Sequence, residues 1–266
     1  MKNLRKITKI LLSVTLIGAL FTGCSSSDVK RVKSSTAEEA IELFNKYNEE
    51  DNVEEMVKLY SDVYMDAVGY TTGTIVKMLK ENRKDVDVTK SEVVSVEDID
   101  ENTKKAEILS TTKNKEGEEE SYTYVYGILK EEGGWSVSPD GVIGFVNYDQ
   151  PEMDKDALNF YLSKTIDTFD GTVFRVEVYN YTTGQYQFGE EDDFCQIIVE
   201  TTEGEYTTSM ESVGSLAKKT QTYFTAKVED IKGDVTKITL TNVYDLDSEG
   251  NIIEDSKRDV VVYEKK

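Results

Sequence analysis

Histidine is absent from the 266 residues, and the chain holds only two prolines, two cysteines and one tryptophan. Without imidazole there is no Ser-His-Asp triad, no Cys-His pair, no imidazole zinc ligand and no ordinary switch near neutral pH. Cations are also scarce, 31 Lys and Arg against 52 Asp and Glu, for a formal net charge of −21. Nucleic-acid binding draws its affinity from Lys and Arg that neutralise phosphates, and the lack of a compact basic stripe argues against a DNA or RNA partner. No glycine-rich phosphate loop, zinc-ligand spacing, nucleophile elbow or dinucleotide fingerprint occurs. The sequence therefore names no cofactor and no catalytic residue.

The first 24 residues are the most directive. Lys2, Arg5, Lys6 and Lys9 precede an apolar run from Ile10 to Phe21, which stops at Thr22-Gly23-Cys24. That run, about a dozen residues long, fits the apolar region of an export signal, whereas a full membrane span needs about 20. Its end resembles the bacterial lipobox, with Gly23 and Cys24 in place. The resemblance implies cleavage before Cys24 and a lipid on its thiol, anchoring the protein to the extracytoplasmic face of the cell membrane. Residues 1–23 are then a signal peptide, and residues 24–35, small and polar, a flexible tether.

Loss of the four signal cations lowers Lys and Arg from 31 to 27 against an unchanged 52 acids, so the mature net charge is −25. Such a chain is well solvated and repels anionic lipid and anionic wall polymers. With Cys24 lipidated, no second cysteine remains to bridge Cys195, whose strand-like setting, Phe194-Cys195-Gln196-Ile197-Ile198-Val199, reads as that of a small buried hydrophobe. An exported chain without disulfides relies on its cores, and at about 150 residues per domain the mature chain has room for two.

Thr36 and Glu39 have capping-box spacing, and Ala37, Ala40, Ile41, Phe44 and Tyr47 recur at helical intervals through Asn48. The pattern predicts three helices, the second restarting at Val53 and the third running over 74–83. From Val86 the period changes to two, which predicts strands at 88–96, 105–112, 119–130 and 135–138. Pro139 and Pro151 are the only prolines, and they mark 141–153 as a linker between domains over 36–140 and 154–266. Beyond them, strand-like segments over 157–165, 172–179, 194–201, 220–229, 235–244 and 258–264 argue a β-sandwich of immunoglobulin-like type, with a weak helical period only around 212–218.

The stretches Thr36-Ala37-Glu38-Glu39-Ala40-Ile41-Glu42-Leu43-Phe44, Glu50–Asn52 and Leu129-Lys130-Glu131-Glu132-Gly133-Gly134-Trp135-Ser136-Val137 resemble bacterial lipoprotein domains of the nuclear transport factor 2-like, cystatin-like class. The resemblance covers about residues 35–140. It implies an α+β cone, three helices against a curved antiparallel sheet, sometimes with a pocket at its mouth. The second domain resembles small β-sandwich modules of exported Gram-positive lipoproteins, through Val176-Glu177-Val178-Tyr179-Asn180.

Tyr122, Tyr124 and Tyr126 alternate onto one strand face, where they either pack or line a ligand surface. Asp245, Asp247 and Glu249, with Gly250, reproduce the start of a calcium loop, but Ser256 stands where a bidentate Glu is required. An acidic hairpin turn with Gly250 at positive φ is the simpler reading. The runs Glu118–Glu120 and Glu190–Asp193 are solvated loop acids, and Trp135 closes the sheet. These observations point to a non-enzymatic binding or interaction module with an extracellular or envelope ligand. The alternatives are a structural spacer and an enzyme of the cyclase, isomerase or dehydratase type that uses a carboxylate or tyrosine of the cone. Cys24→Ala is expected to release the protein from the membrane fraction or leave it unprocessed; unchanged lipid labelling of the variant contradicts the anchor.

Overall fold

Thr36 is extended, and its hydroxyl accepts the Glu39 amide at 3.1 Å, so helix α1 (Ala37–Glu49) starts where a side-chain oxygen serves a backbone donor that the first turn leaves unpaired. The computed structural model describes residues 31–190, 194–209 and 214–265. Three further helices are capped in the same way: α2 (Val53–Lys58) by Asn52, α3 (Asp62–Val68) by Ser61 and α4 (Thr72–Arg83) by Thr71. The described residues thus hold four helices, one more than the pattern predicts. The extra one, α3, is short, and a distant strand residue helps to cap it: the Glu131 carboxylate accepts the Asp62 and Val63 amides at 3.1 and 3.0 Å. Among the described residues no helix is long and apolar enough to cross a membrane.

Strands β1 (Val86–Asp98), β2 (Thr103–Asn114), β3 (Glu119–Glu131) and β4 (Gly134–Ser138) form an antiparallel sheet in chain order. Ala106 and Ile108 of β2 stand opposite Tyr126 and Tyr124 of β3, and this face takes the helices, with the Phe44 ring of α1 at 4.9 Å from Tyr126. The outer edge of β4 is covered by chain rather than water. Ser34 and Trp135 exchange backbone hydrogen bonds of 2.8 Å, and Val137 bonds to Leu59 and Ser61. Residues 32–34 are therefore docked, and the stretch read as a tether through Ser35 is fixed at its C-terminal end. Gly134 makes this approach feasible: at φ +140°, a Cβ on it would lie 2.3 Å from the Ser34 carbonyl oxygen.

The chain divides into two compact units after Gly144. Where a linker was expected over 141–153, strand β5 (Val142–Asn147) forms instead and enters the second unit's sheet. That sheet has the order β12-β7-β6-β5, from β6 (Leu158–Thr168), β7 (Gly171–Asn180) and β12 (Gln221–Glu229). The other has the order β10-β9-β13-β8-β11, from β8 (Gln185–Phe188), β9 (Gln196–Thr201), β10 (Glu205–Ser209), β11 (Ser215–Leu216) and β13 (Val235–Leu246), while β14 (Arg258–Glu264) also pairs with β13. Strands β8, β10 and β11 go beyond the sequence pattern because they are short and partly polar. The helical period around 212–218 has no helical counterpart over 214–218, and 212–213 lie outside the described residues.

Inward residues of both sheets build one core: Phe174, Val178 and Phe224 from the first, Ile197, Ile238 and Leu240 from the second. Phe188 and Phe224, one from each sheet, meet edge-on at 4.8 Å. Asn242 bends β13. It takes the left-handed conformation at φ +58°, its side-chain amide donates to the Phe194 carbonyl at 2.9 Å, and its own carbonyl accepts the Gly189 amide at 2.9 Å. One long strand consequently pairs with β9 over Val235–Leu240 and with β8 over Val243–Leu246. The described chain is α+β, with four helices and mainly antiparallel sheets. Phe174→Ala, at a position with no exposure, is expected to cost about 3–5 kcal/mol, measured by urea denaturation of the second unit's core.

Candidate functional site

The three tyrosines of β3 share a face but not an environment. Tyr126 is 2 % exposed and belongs to an aromatic cluster in which Phe44 also meets Tyr60 at 6.4 Å, and Tyr60 meets Tyr64 edge-on at 5.4 Å. Of the two readings of Tyr126, its burial favours packing: small Ala106 stands opposite it, and the Phe44 ring lies against it at 4.9 Å. Tyr122 and Tyr124 are half-buried, with rings 6.4 Å apart. The Tyr122 hydroxyl donates to the Glu120 carboxylate, which raises its pKa. Burial pushes the Tyr124 phenol up to about 12 and drives those of Tyr60, Tyr64 and Tyr126 further above the ordinary tyrosine range.

One guanidinium sits among these rings. Arg83, in the last turn of α4, is buried, and its Nη2 donates to Asn48 Oδ1 at 2.6 Å and lies 3.6 Å from Met56 Sδ. Its nearest carboxylate is Asp51, at 3.5 Å from Nη1. Arg83 Nε, Asn48 Nδ2, Ser110 Oγ and Tyr64 Oη are buried without a hydrogen-bond partner. The sequence pattern marks Arg83 only as a basic residue at a helix end; its burial follows from where α4 packs.

The calcium-like segment is a turn. Asp247 Oδ1 accepts the Glu249 and Asn251 amides at 2.8 and 2.9 Å, and Gly250 adopts φ +89°. These amides also hold the Asp247 carboxyl below its usual range, with the Asn251 bond the largest cause. Asp245 instead pairs with Arg258 at 2.9 Å, so the acids do not converge on one point. Among the described residues no group of three or more His, Cys, Asp or Glu side chains is arranged to hold a metal ion.

Cys24 lies outside the described residues, as do Glu191, Asp192 and Asp193. Cys195 is buried, and burial pushes its thiol up to about 12. Trp135 is half-buried on β4 with the Lys104 ammonium 6.0 Å from its ring centroid. Glu118, in the turn, accepts from the Asn114 side-chain amide at 2.8 Å, whereas Glu119 and Glu120 belong to β3 rather than to a loop, Glu119 pairing across strands with Lys113 at 3.5 Å.

A second tyrosine group is found only in three dimensions. On β6 and β7, Leu158, Phe160 and Leu162, with Val176 and Val178, face the core, which sends Tyr161 and Tyr179 to the opposite face of the sheet. Their ring centroids lie 6.2 Å apart with planes at 23°, and Tyr181 continues the row 6.0 Å beyond Tyr179 at 28°. Alternation reveals each tyrosine's face in its own strand; the row depends on the β6–β7 register, which pairs Asn159 with Tyr179 and Tyr161 with Glu177.

Tyr64→Phe removes a buried hydroxyl that has no partner. It is expected to raise stability by about 1 kcal/mol, read as a higher urea midpoint; a lower midpoint would show that the hydroxyl is satisfied.

A scan of protein-family models finds none that matches this chain, and a search of curated proteins returns no match.

Proposed function

We propose that the chain is a lipoprotein held by Cys24 on the extracytoplasmic face of the cell membrane and that it works as a non-enzymatic binding or interaction module. In this reading the first unit is a nuclear transport factor 2-like cone and the second an immunoglobulin-like sandwich. Four helices on one antiparallel sheet support the first assignment, and two antiparallel sheets around one core support the second. The observation that carries the functional reading is the filling of the helix-covered sheet face, where Tyr126 packs on Phe44 at 4.9 Å.

An enzyme of this class would need a titratable group reachable by substrate and poised near the working pH. The phenols of Tyr60, Tyr64 and Tyr126 are buried and held protonated far above neutral pH. What remains for function is the outside of the two units, which suits recognition. The mature protein, incubated with envelope polymers and extracellular peptides, is expected to retain a ligand while mass spectrometry finds every probe covalently unchanged. Steady conversion of any probe would overturn the proposal.

A further inference from the structure

We infer that the free edge of β1 beyond Glu92 is a docking site for an extended polypeptide segment with an apolar centre and Lys or Arg at both ends, which adds to the sheet as a further strand. The inference rests on the reading of the chain as a binding module and names the partner. Strand β1 ends the order β1-β2-β3-β4, so one side of it pairs with β2 and, among the described residues, the other pairs with no strand. Every residue from Glu92 to Glu101 is exposed. Of the ten large apolar side chains exposed among the described residues, Val93, Val94, Val96 and Ile99 fall in this one stretch, so apolar surface is concentrated here rather than scattered.

The two halves of that edge differ. In the first, α1 meets it: the Ser91 amide, turned away from β2, donates to Glu49 at 2.6 Å, and the Ser91 hydroxyl donates to Asn45 at 2.8 Å. An irregularity between Val93 and Ser95 then sets Val94 outside the pairing. Past it, the Ile99 amide donates inward to the Thr103 carbonyl at 3.0 Å, so by alternation the amides of Val96 and Asp98 turn outward, as that of Ser91 does. An edge with outward donors and valine side chains is a template for strand addition, in which backbone bonds give affinity and side chains give selection. Helix α1 supplies a wall beside it. Glu38, Glu42, Asn45 and Glu49 share one side of the helix at spacings of three and four. Asn45 and Glu49 reach Ser91 at one end, while at the other the Lys104 ammonium is raised in pKa by its bond to Asp98 first and by nearby Glu38 as well. Glu42 therefore stands between these ends, on the side of the valines.

Charge selects a cationic partner over a second copy of the chain. Glu92 precedes the three valines, Glu97 and Asp98 follow them, and residues 92–101 hold five acids and no cation. With Glu38, Glu42 and Glu49 of α1 and Glu107 of β2, nine acids stand against the four cations Lys46, Lys90, Lys104 and Lys105. Lys90 is already engaged by Glu92 at 2.7 Å, and Lys104 by Asp98. Basic residues at both ends of an apolar segment meet this surplus on either side of the valines. A second copy does not. Because α1 covers the edge at Ser91, an antiparallel pairing of two such edges is confined to residues 93–98, which sets Val93 opposite Asp98 and Val94 opposite Glu97 and brings the same negative surplus to both sides.

The test uses the mature chain and an end-blocked peptide, Lys-Arg-Val-Thr-Val-Thr-Val-Lys-Arg. One comparison peptide carries Glu at the four basic positions, and another carries N-methyl groups on the five central amides, which keeps side chains and charge but removes the backbone donors. Calorimetry is expected to show binding of the first peptide alone, weakened by added salt. Val96→Pro removes an outward donor and leaves the pairing with β2 intact, and it should weaken binding about tenfold. Glu97→Lys should weaken it about fivefold. In the unmutated chain, hydrogen exchange of the Val96 and Asp98 amides should slow when the peptide is bound, a readout independent of how the variants fold. The inference is overturned if the basic peptide does not bind, if the acidic or N-methylated peptide binds equally well, if exchange at Val96 and Asp98 is unchanged, or if sedimentation shows a dimer of the chain that Val96→Pro dissolves. Retention of some other ligand with these amides unprotected would overturn the inference and leave the module reading standing. Cleavage of the bound peptide with the amides protected would uphold the docking edge and overturn the non-enzymatic reading instead.

Discussion

A single carboxylate holds the first unit's pieces together. Glu131, at the end of β3, accepts the two leading amides of α3, the Ser136 hydroxyl at 2.7 Å and the Lys33 ammonium, with its side chain only 11 % exposed. A carboxylate that far from water is tolerable only when its lone pairs are met, and here helix, strand and docked N-terminal segment each supply a donor. Lys33 in turn bonds Asp62 at 3.0 Å, and Arg31 bonds Asp62 at 2.7 Å, so the segment ahead of α1 is tied to α3 as well as to β4. Because α3 occupies its place on these terms, Tyr64 is carried into the aromatic cluster that fills the interior.

This dependence explains what the sequence makes legible. Helix α1 has its own cap and its own apolar stripe, and β1 to β4 carry a period of two bounded by turn residues, so local chemistry specifies each. Helix α3 draws two of its N-terminal hydrogen bonds from a residue 69 and 68 positions away from their donors, and no local window contains that information. Strand β5 hides between two prolines because its partner, β6, provides the reason to be extended. In the candidate site, the shared face of Tyr122, Tyr124 and Tyr126 is readable from alternation. Their unequal burial is not, since it depends on Phe44 arriving from another element. The row formed by Tyr161, Tyr179 and Tyr181 is less legible still, because it exists only once two strands are in register.

The second unit solves a different problem, which is to keep two sheets on one core although β8 and β9 are short. Asn242 supplies the answer by letting β13 turn its pleat without ending. The left-handed conformation costs an L-residue energy, and the asparagine offsets it with a side-chain bond to the backbone opposite. Gly189 completes the corner: at φ +75°, a Cβ there would come within 2.4 Å of the Cys195 amide nitrogen. The corner thereby brings the buried Cys195 into the core as a packing residue.

The docked segment at residues 32–34 has a mechanical meaning under the proposed anchor at Cys24. Only seven residues lie between that cysteine and Val32, and eight Cα-to-Cα steps reach at most roughly 28 Å. Tension on this stretch meets the fold first at Arg31, paired with Asp62, and at Val32, whose amide donates to the Lys58 carbonyl, and then at Lys33 and Ser34, where two backbone hydrogen bonds to Trp135 and the ion pair with Glu131 follow. The load therefore enters through the ends of α2 and α3 together with the edge of the sheet.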